Sequence, residues 1–588
     1  MARKPTAKPV VAGAFLPMSR AEMDAQGWRE LDILLITGDA YVDHPSFGAA
    51  MIGRVLEADG LRVGIVAQPD WKSLEAVTVM GAPRLFVGVT AGNLDSMVSN
   101  YTVARHKRKL DVYSAGGVPG RRPNHAAVVY AQLARRAFPG VPVVLGGLEA
   151  SMRRVAHYDY WEDKLRPSIL TDSKADLLVY GMGERAVREV ARRLRDGEGD
   201  LGGIAGTAVL LGAKASAAAD FSGCIMLPSW DELQADVRLL LPLTKVTEAQ
   251  QTPYCGKRLV QMHGSRAVVI EPPALPVDGP ELDALYEYPF QRAVHPAYQD
   301  PVPGFSTIKD SVIVSRGCAG GCTFCGLGLH QGKFLSSRSV ASVLQELGRL
   351  GELESFCGTV SDLGGPTANL YGAKNGHVLA CRDCHRPSCL WPGICPHFEI
   401  NEKPGLEMLR GARQVPGVKH VFVQSGIRMD VALRTPEYLR ELVQHHVSGH
   451  MKVAPEHLHP AVLRRMRKPA ADFPAFMSQF SELSAAVGKK QYLVPYFISS
   501  FPGCTDKEMG VVKDFLKQEH WNLQQVQDFI PLPMTASTAM YVTGLDIISG
   551  QPIPVVRNAG EREKQKIMLR PNQTPGSRNV AANFDAVE

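Results

Sequence analysis

The sequence predicts an α/β protein made of two sheets in series: a doubly wound N-terminal domain, then a partial (β/α)6 barrel of TIM type with a cysteine-rich insert. Three observations lead there. The 588 residues are too many for one hydrophobic core, short apolar runs alternate with amphipathic stretches in two separate series, and a proline-rich segment divides the series.

After an N-terminal extension over residues 1–28, the apolar run 33–36 ends at Gly38-Asp39, and Ser46 opens an amphipathic stretch to about residue 59. This reads as strand, turn and helix. Strand-like runs at 62–67, 85–89, 141–145, 177–180 and 208–211, with helical stretches such as 124–138 and 186–194, continue the pattern. They imply a parallel, Rossmann-like sheet over residues 29–220. Prolines at 272, 273, 276, 289, 296, 301 and 303 mark residues 221–303 as a connector that wraps over its neighbours.

The second series has strand-like runs at 311–315, 356–360, 421–423, 451–454, 492–496 and 526–530, with helical stretches at 339–350, 437–445, 460–466, 473–487 and 506–519. These six units predict a barrel over residues 304–545, with an insert at about 370–400 and its chemistry at the C-terminal strand ends. Residues 546–588 are polar and read as a partly ordered tail.

The net charge of +6 is small for this length, and the basic runs 105–109 and 464–468 read as solvated helix faces. No stretch reaches about 20 apolar residues and no signal-peptide core follows the basic N-terminus, so a cytoplasmic protein without a membrane partner is expected. In that reducing setting the eleven cysteines read as metal ligands or core thiols.

The first cysteine group is Cys318-Ala-Gly-Gly-Cys322-Thr-Phe-Cys325, directly after the first barrel strand. Three thiolates on one tight loop suit three irons of a 4Fe-4S cluster and leave the fourth iron without a protein ligand. A closed zinc site wants four local ligands. The second group, Cys381, Cys384, Cys389 and Cys395, offers four local thiols with His385 and His397 nearby, enough for either zinc or an auxiliary cluster. Cys224, Cys255, Cys357 and Cys504 stand alone and read as core or incidental thiols.

The first group resembles the cluster loop of the radical S-adenosylmethionine (SAM) superfamily. That resemblance implies a 4Fe-4S cluster whose open iron is chelated by SAM, and reductive cleavage of SAM to a deoxyadenosyl radical. Phe324 stands at the aromatic position that stacks near the adenine. Gly364, Gly365, Pro366 and Thr367, one strand later, resemble the turn that meets the SAM amino group, although the acidic residue of its commonest version is absent. Ser425-Gly-Ile-Arg-Met-Asp430, Ala454-Pro-Glu-His457, Arg467-Lys-Pro469 and Phe501-Pro-Gly503 resemble the late barrel motifs of the methylthiotransferase-like branch. With Leu285-Tyr-Glu-Tyr-Pro-Phe290 and Gly146-Gly-Leu-Glu-Ala-Ser-Met-Arg-Arg154, they make the chain similar to the YgiQ family over about residues 31–576.

The resemblance implies an enzyme whose partners are SAM and an electron donor such as flavodoxin or ferredoxin. It names no substrate, and no residue is singled out as catalytic. Arg428, Asp430, Glu456 and His457 sit at strand ends and either contact the cofactor or substrate or close the rim with ion pairs; Arg428 and Glu456 are carried forward as cofactor-binding residues, His457 as a rim group. The N-terminal domain resembles a cobalamin-binding module, whose Asp-x-His-x-x-Gly loop this chain lacks. His44 lies four residues before Gly48, and Val42 stands where the aspartate should, which argues against cobalamin. The competing expectation is a non-catalytic, metal-dependent RNA- or protein-binding scaffold that uses both cysteine groups structurally.

Overall fold

The computed structural model describes residues 14–571 except 471, 522, 524 and 525. In the N-terminal domain the strands Ile33–Thr37, Val63–Ala67, Phe86–Thr90, Val143–Leu145 and Leu177–Val179 run parallel in the spatial order second, first, third, fourth, fifth. Every residue of Ile33–Thr37 is buried, which explains an unbroken apolar run where a one-sided strand would alternate. Ile33 and Leu35 pack with helices Gly48–Ala58 and Glu184–Arg195 on one face, whereas Leu34 and Ile36 pack with helix Ala126–Ala137 on the other.

The sheet is longer than the sequence suggests. Thr207–Leu211, expected to be parallel, runs antiparallel to Leu177–Val179. The hairpin Leu259–His263/Arg266–Ile270 then joins it, with Ile225–Met226 at the edge, for nine strands in all. Part of the expected connector is therefore sheet. Its signal was masked by Gln261, a fully buried polar residue whose amide accepts from Ala156 N and donates to Pro228 O. The later connector does wrap: Ala293–Val294 pairs with Val42–Asp43.

In the second domain Ser311–Ile313, Thr359–Val360 with Asp362–Gly364, His420–Val421, His450–Glu456, Tyr492–Ser499 and Gln527–Asp528 neighbour one another in chain order, all parallel. Among the described residues the first and sixth strands do not pair, so the barrel is partial. Helix Ala559–Met568 lies in the segment expected to be a polar tail, yet it packs on Asp506–Gln518 and the last two strands. Gln565 is fully buried there, accepting from Ser500 N and donating to Cys504 O, and Arg562 pairs with Asp528. Polarity in this segment serves the rim's backbone groups. Residues 572–588 of the expected tail, and 1–13 of the expected extension, lie outside the described residues. Among the described residues no helix is long and apolar enough to cross a membrane.

Candidate functional site

The first cysteine loop leaves the barrel at Ser315–Arg316, which pairs with Ser336–Ser337 and closes residues 317–335 into one excursion. Its root is held by the N-terminal domain. Arg316 is buried, pairs with Glu184 at 2.5 Å and lies against the Tyr286 ring. Cys318 N donates to Gly332 O, Cys325 N to Cys322 O, and Thr323 to Met466 O and Arg465 O. Such backbone bonds fix the loop through its own peptide groups and leave the thiols free of structural duty.

Cys318, Cys322 and Cys325 line one cavity with Thr323, Leu329, Lys333, Pro387 and Arg467 of the barrel, and Glu248 and Gln251 of the connector. Burial raises the Cys322 thiol, opposed by Lys468 and Arg428, and pushes Cys325 up to about 12, with Cys322 adding to it.

Opposite the loop stands the turn after Asp362–Gly364. Thr367 Oγ1 is 3.8 Å from Cys318 Sγ. A Cβ on Gly365 would lie 2.8 Å from Ser315 Oγ and 2.9 Å from Ser315 O, so only glycine lets the turn close on the loop's root. Arg428 comes over the same loop: a Cβ on Gly320 would lie 2.7 Å from its Nη1. Asn369 locks the Arg428 backbone at both N and O, and Asp430 holds its guanidinium at 2.5 Å. Glu456 ends a strand through a register shift, with φ +66°, a conformation that turns its buried carboxylate toward Lys468 at 3.5 Å. Arg428, Asp430, His457, Lys468 and Asp472 line a second cavity beside the loop. Burial raises the Asp472 carboxyl, and Asp430 adds to it.

The structure thus brings Gly364, Gly365, Pro366, Thr367, Arg428 and Glu456 around the first cysteine group. Phe324 instead packs edge-on against Phe501, with 6.3 Å between ring centroids. His457 is buried, its Nδ1 accepting from His459 N and its Nε2 3.4 Å from Cys504 Sγ. The run 464–468, expected to be a solvated face, is engaged: Arg465 with Asp546, Arg467 with Glu248 and Lys468 with Glu456. Lys468, Asp472 and the Arg467–Glu248 pair were not foreseen; the Arg467-Lys-Pro469 motif was their only trace in the sequence.

The block 146–154 joins the N-terminal domain to the connector and to the helix after the cysteines. Glu149 accepts from Ser96 N and Ala127 N, Arg153 pairs with Asp95, and Arg154 reaches Gln251 at 2.7 Å. Ser151 bonds His330, on the helix Leu327–His330 that follows the cysteines, at 3.1 Å.

The second group, Cys381, Cys384, Cys389 and Cys395, lines a cavity of its own with Lys333, Asn375 and His397. Cys255, expected to be incidental, lies beside it, its Sγ 3.6 Å from Cys384 O and 3.9 Å from His385 Nδ1. Among the described residues no three His, Cys, Asp or Glu side chains converge closely enough to hold a single metal ion.

Comparison with known proteins agrees with this geometry. The chain matches a radical SAM N-terminal domain over residues 15–311, the radical SAM superfamily domain over 312–516 and a domain of unknown function, DUF3362, over 524–576. It is 48% identical to a UPF0313 protein of Geobacter sulfurreducens, covering 96% of this chain and 94% of that protein. It is 43% identical to a UPF0313 protein of Methanosarcina acetivorans, covering 95% and 78%. Among solved structures, the radical SAM methyltransferase TsrM of Kitasatospora setae, with cobalamin and a [4Fe-4S] cluster bound, overlaps with a TM-score of 0.49 at 15% identity, covering 85% of this chain and 73% of that one. The family domains and the relatives, taken together, make this chain a radical SAM enzyme of the UPF0313, YgiQ-like family.

Proposed function

We propose that Cys318, Cys322 and Cys325 hold a 4Fe-4S cluster with one iron open to SAM, and that the enzyme cleaves SAM reductively to act on a substrate by hydrogen abstraction. The observation that carries this is the meeting of loop and turn, Thr367 Oγ1 at 3.8 Å from Cys318 Sγ with Arg428 over Gly320. The donor set fits. Three thiols border one cavity, one ligand for each of three irons.

When bound, cluster and SAM supply a one-electron cleavage of the SAM carbon–sulfur bond, which yields methionine and a deoxyadenosyl radical. The chain's own part is placement. The backbone of Gly364–Thr367 would meet the SAM amino group, Arg428, whose Nε and Nη2 are held by Asp430, would offer its Nη1 to the carboxylate, and Glu456, held by Lys468, would accept from the ribose hydroxyls. Asp430 keeps Arg428 oriented. The N-terminal block 146–154 covers the loop and limits water around it.

We infer that the N-terminal domain does not hold cobalamin, because the Asp-x-His-x-x-Gly loop is missing. Arg122 reaches the ends of the first and third strands, where this sheet order would seat a ligand, donating to Gly38 O at 3.1 Å and to Asp39 at 2.6 Å beside a small cavity lined by Thr37, Asp39, Gly92 and Asn93. His44 is buried on the connector side, its Nδ1 accepting from Ser46 N. We infer that this domain serves as a cover.

The test is anaerobic reconstitution with iron and sulfide, followed by assay of deoxyadenosine from SAM under a strong reductant. Formation that Cys322→Ala abolishes supports the enzyme. A fully loaded protein that forms none would leave the metal-dependent scaffold.

A further inference from the structure

The insert at residues 370–400 is fastened to the back of the first cysteine loop. Cys389 N donates to Ala319 O at 3.0 Å, and Ser388 Oγ donates to Gly320 O at 2.8 Å and to Ala319 O at 3.2 Å. Lys333 lines both cysteine cavities, and its Nζ donates to Arg386 O at 2.7 Å and Cys384 O at 3.4 Å. From Cys318 the backbone runs one residue to the Ala319 carbonyl, and one hydrogen bond joins that carbonyl to the backbone of Cys389 in the second group.

The four thiols border one cavity, and a cubane takes one thiolate at each iron. With four protein ligands no iron stays open, which suits electron transfer and not substrate chemistry. Asn375 Nδ2 reaches Cys389 Sγ at 3.7 Å, a contact of the kind that tunes a cluster's potential. The outer side of the insert exposes Lys374, Arg382 and Leu379, the last 78% accessible.

We propose that Cys381, Cys384, Cys389 and Cys395 hold an auxiliary 4Fe-4S cluster that relays electrons to the first cysteine loop across the Cys389 N–H···O=C Ala319 bond, a proposal that rests on the first loop holding a cluster. The balance is simple. A donor of the flavodoxin or ferredoxin class loses one electron, the auxiliary cluster gains it and loses it again to the first loop's cluster, and no bond in the insert forms or breaks.

Two variants separate this proposal from the reading it rests on. With Cys318, Cys322 and Cys325 all changed to Ala, anaerobically reconstituted protein is expected to keep about four irons and four sulfides and an electron paramagnetic resonance signal on reduction. Zinc there, or no metal, overturns the auxiliary cluster and leaves the first loop's assignment standing. With Cys389→Ser and Cys395→Ser, iron is expected to halve, and deoxyadenosine formation driven by flavodoxin should fall relative to that driven by dithionite. An unchanged ratio overturns the relay, and iron absent altogether overturns the assignment of the first loop. Asn375→Asp leaves all seven cysteines in place: it should lower the midpoint potential of the second signal alone, and an unmoved midpoint counts against the site.

Discussion

Replacing Gly321 with alanine probes the seam between loop and insert. Gly321 has φ +60°, and a Cβ there would lie 2.5 Å from Pro387 O and 2.8 Å from Ser388 Cβ. The left-handed backbone costs an L-residue about 1–2 kcal/mol, and forcing a methyl against backbone atoms adds about 1–3 kcal/mol. Gly332→Ala separates the two costs, because Gly332 has φ +84° in the same excursion and nothing within 4 Å of an added Cβ. The contact therefore accounts for the difference between the variants. At a factor of ten per 1.4 kcal/mol, about 1–3 kcal/mol raises the population of an undocked insert roughly 5- to 150-fold over the control. Tryptic cleavage after the exposed Lys374 and Arg382 reads that population directly when opening is fast. Equal cleavage rates in Gly321→Ala and Gly332→Ala would refute the packing of insert on loop.

Arg428→Ala leaves Asp430 buried without its partner, costs about 3–5 kcal/mol and should abolish measurable SAM binding in calorimetry while loop iron is retained; unchanged SAM affinity would contradict its role. Arg428→Lys should restore only part of the binding, since the planar fork is lost. His457 is held near 3 by burial, with His459 adding to it, well below its usual 6.5. Its folded value is depressed, so its contribution to stability is present above pH 6.5 and lost as pH falls toward 3. The thermal unfolding temperature of apoprotein carrying His457→Asn should accordingly vary less across that window than wild type, and an equal slope would speak against it. Glu248→Ala strands Arg467, 7% exposed, and should release helix Leu240–Ala249 to hydrogen exchange at a cost of about 3–5 kcal/mol; unaltered protection there would show that the ion pair does not hold the connector to the loop.

The fold was legible where burial on both faces imposes a local pattern. The run 33–36 and its counterparts up to 177–180 mark strands within a residue or two of their observed bounds, and the six barrel strands were anticipated in order. The hairpin at 259–270 escaped because Gln261 and His263 interrupt an apolar run with buried polar side chains, Gln261 bonding Ala156 and Pro228 and His263 stacking on the Trp230 ring. Helix Ala559–Met568 escaped for a related reason: Arg562 and Gln565 look solvated until the rim they satisfy is known. At the site, the cysteine spacing is a local signal and was readable. Lys333 and the Glu248–Arg467 pair depend on approaches across 50 to more than 200 residues, for which one sequence carries no periodicity.

The helix that seats Gln565 against Ser500 and Cys504 also sets an order of assembly. A chain growing from its N-terminus acquires the first cysteine loop and the domain that covers it some 230 residues before Gln565. Until that residue is made, the late barrel strands lack the side chain that bonds Ser500 N and Cys504 O, and that rim stays loose. The same helix sets Arg562 over the Tyr160 ring of the N-terminal domain, so this seam is the last to shut during synthesis. Iron delivered to the nascent protein would meet a half-open vessel, and a chain stopped short of residue 559 would stay in that state.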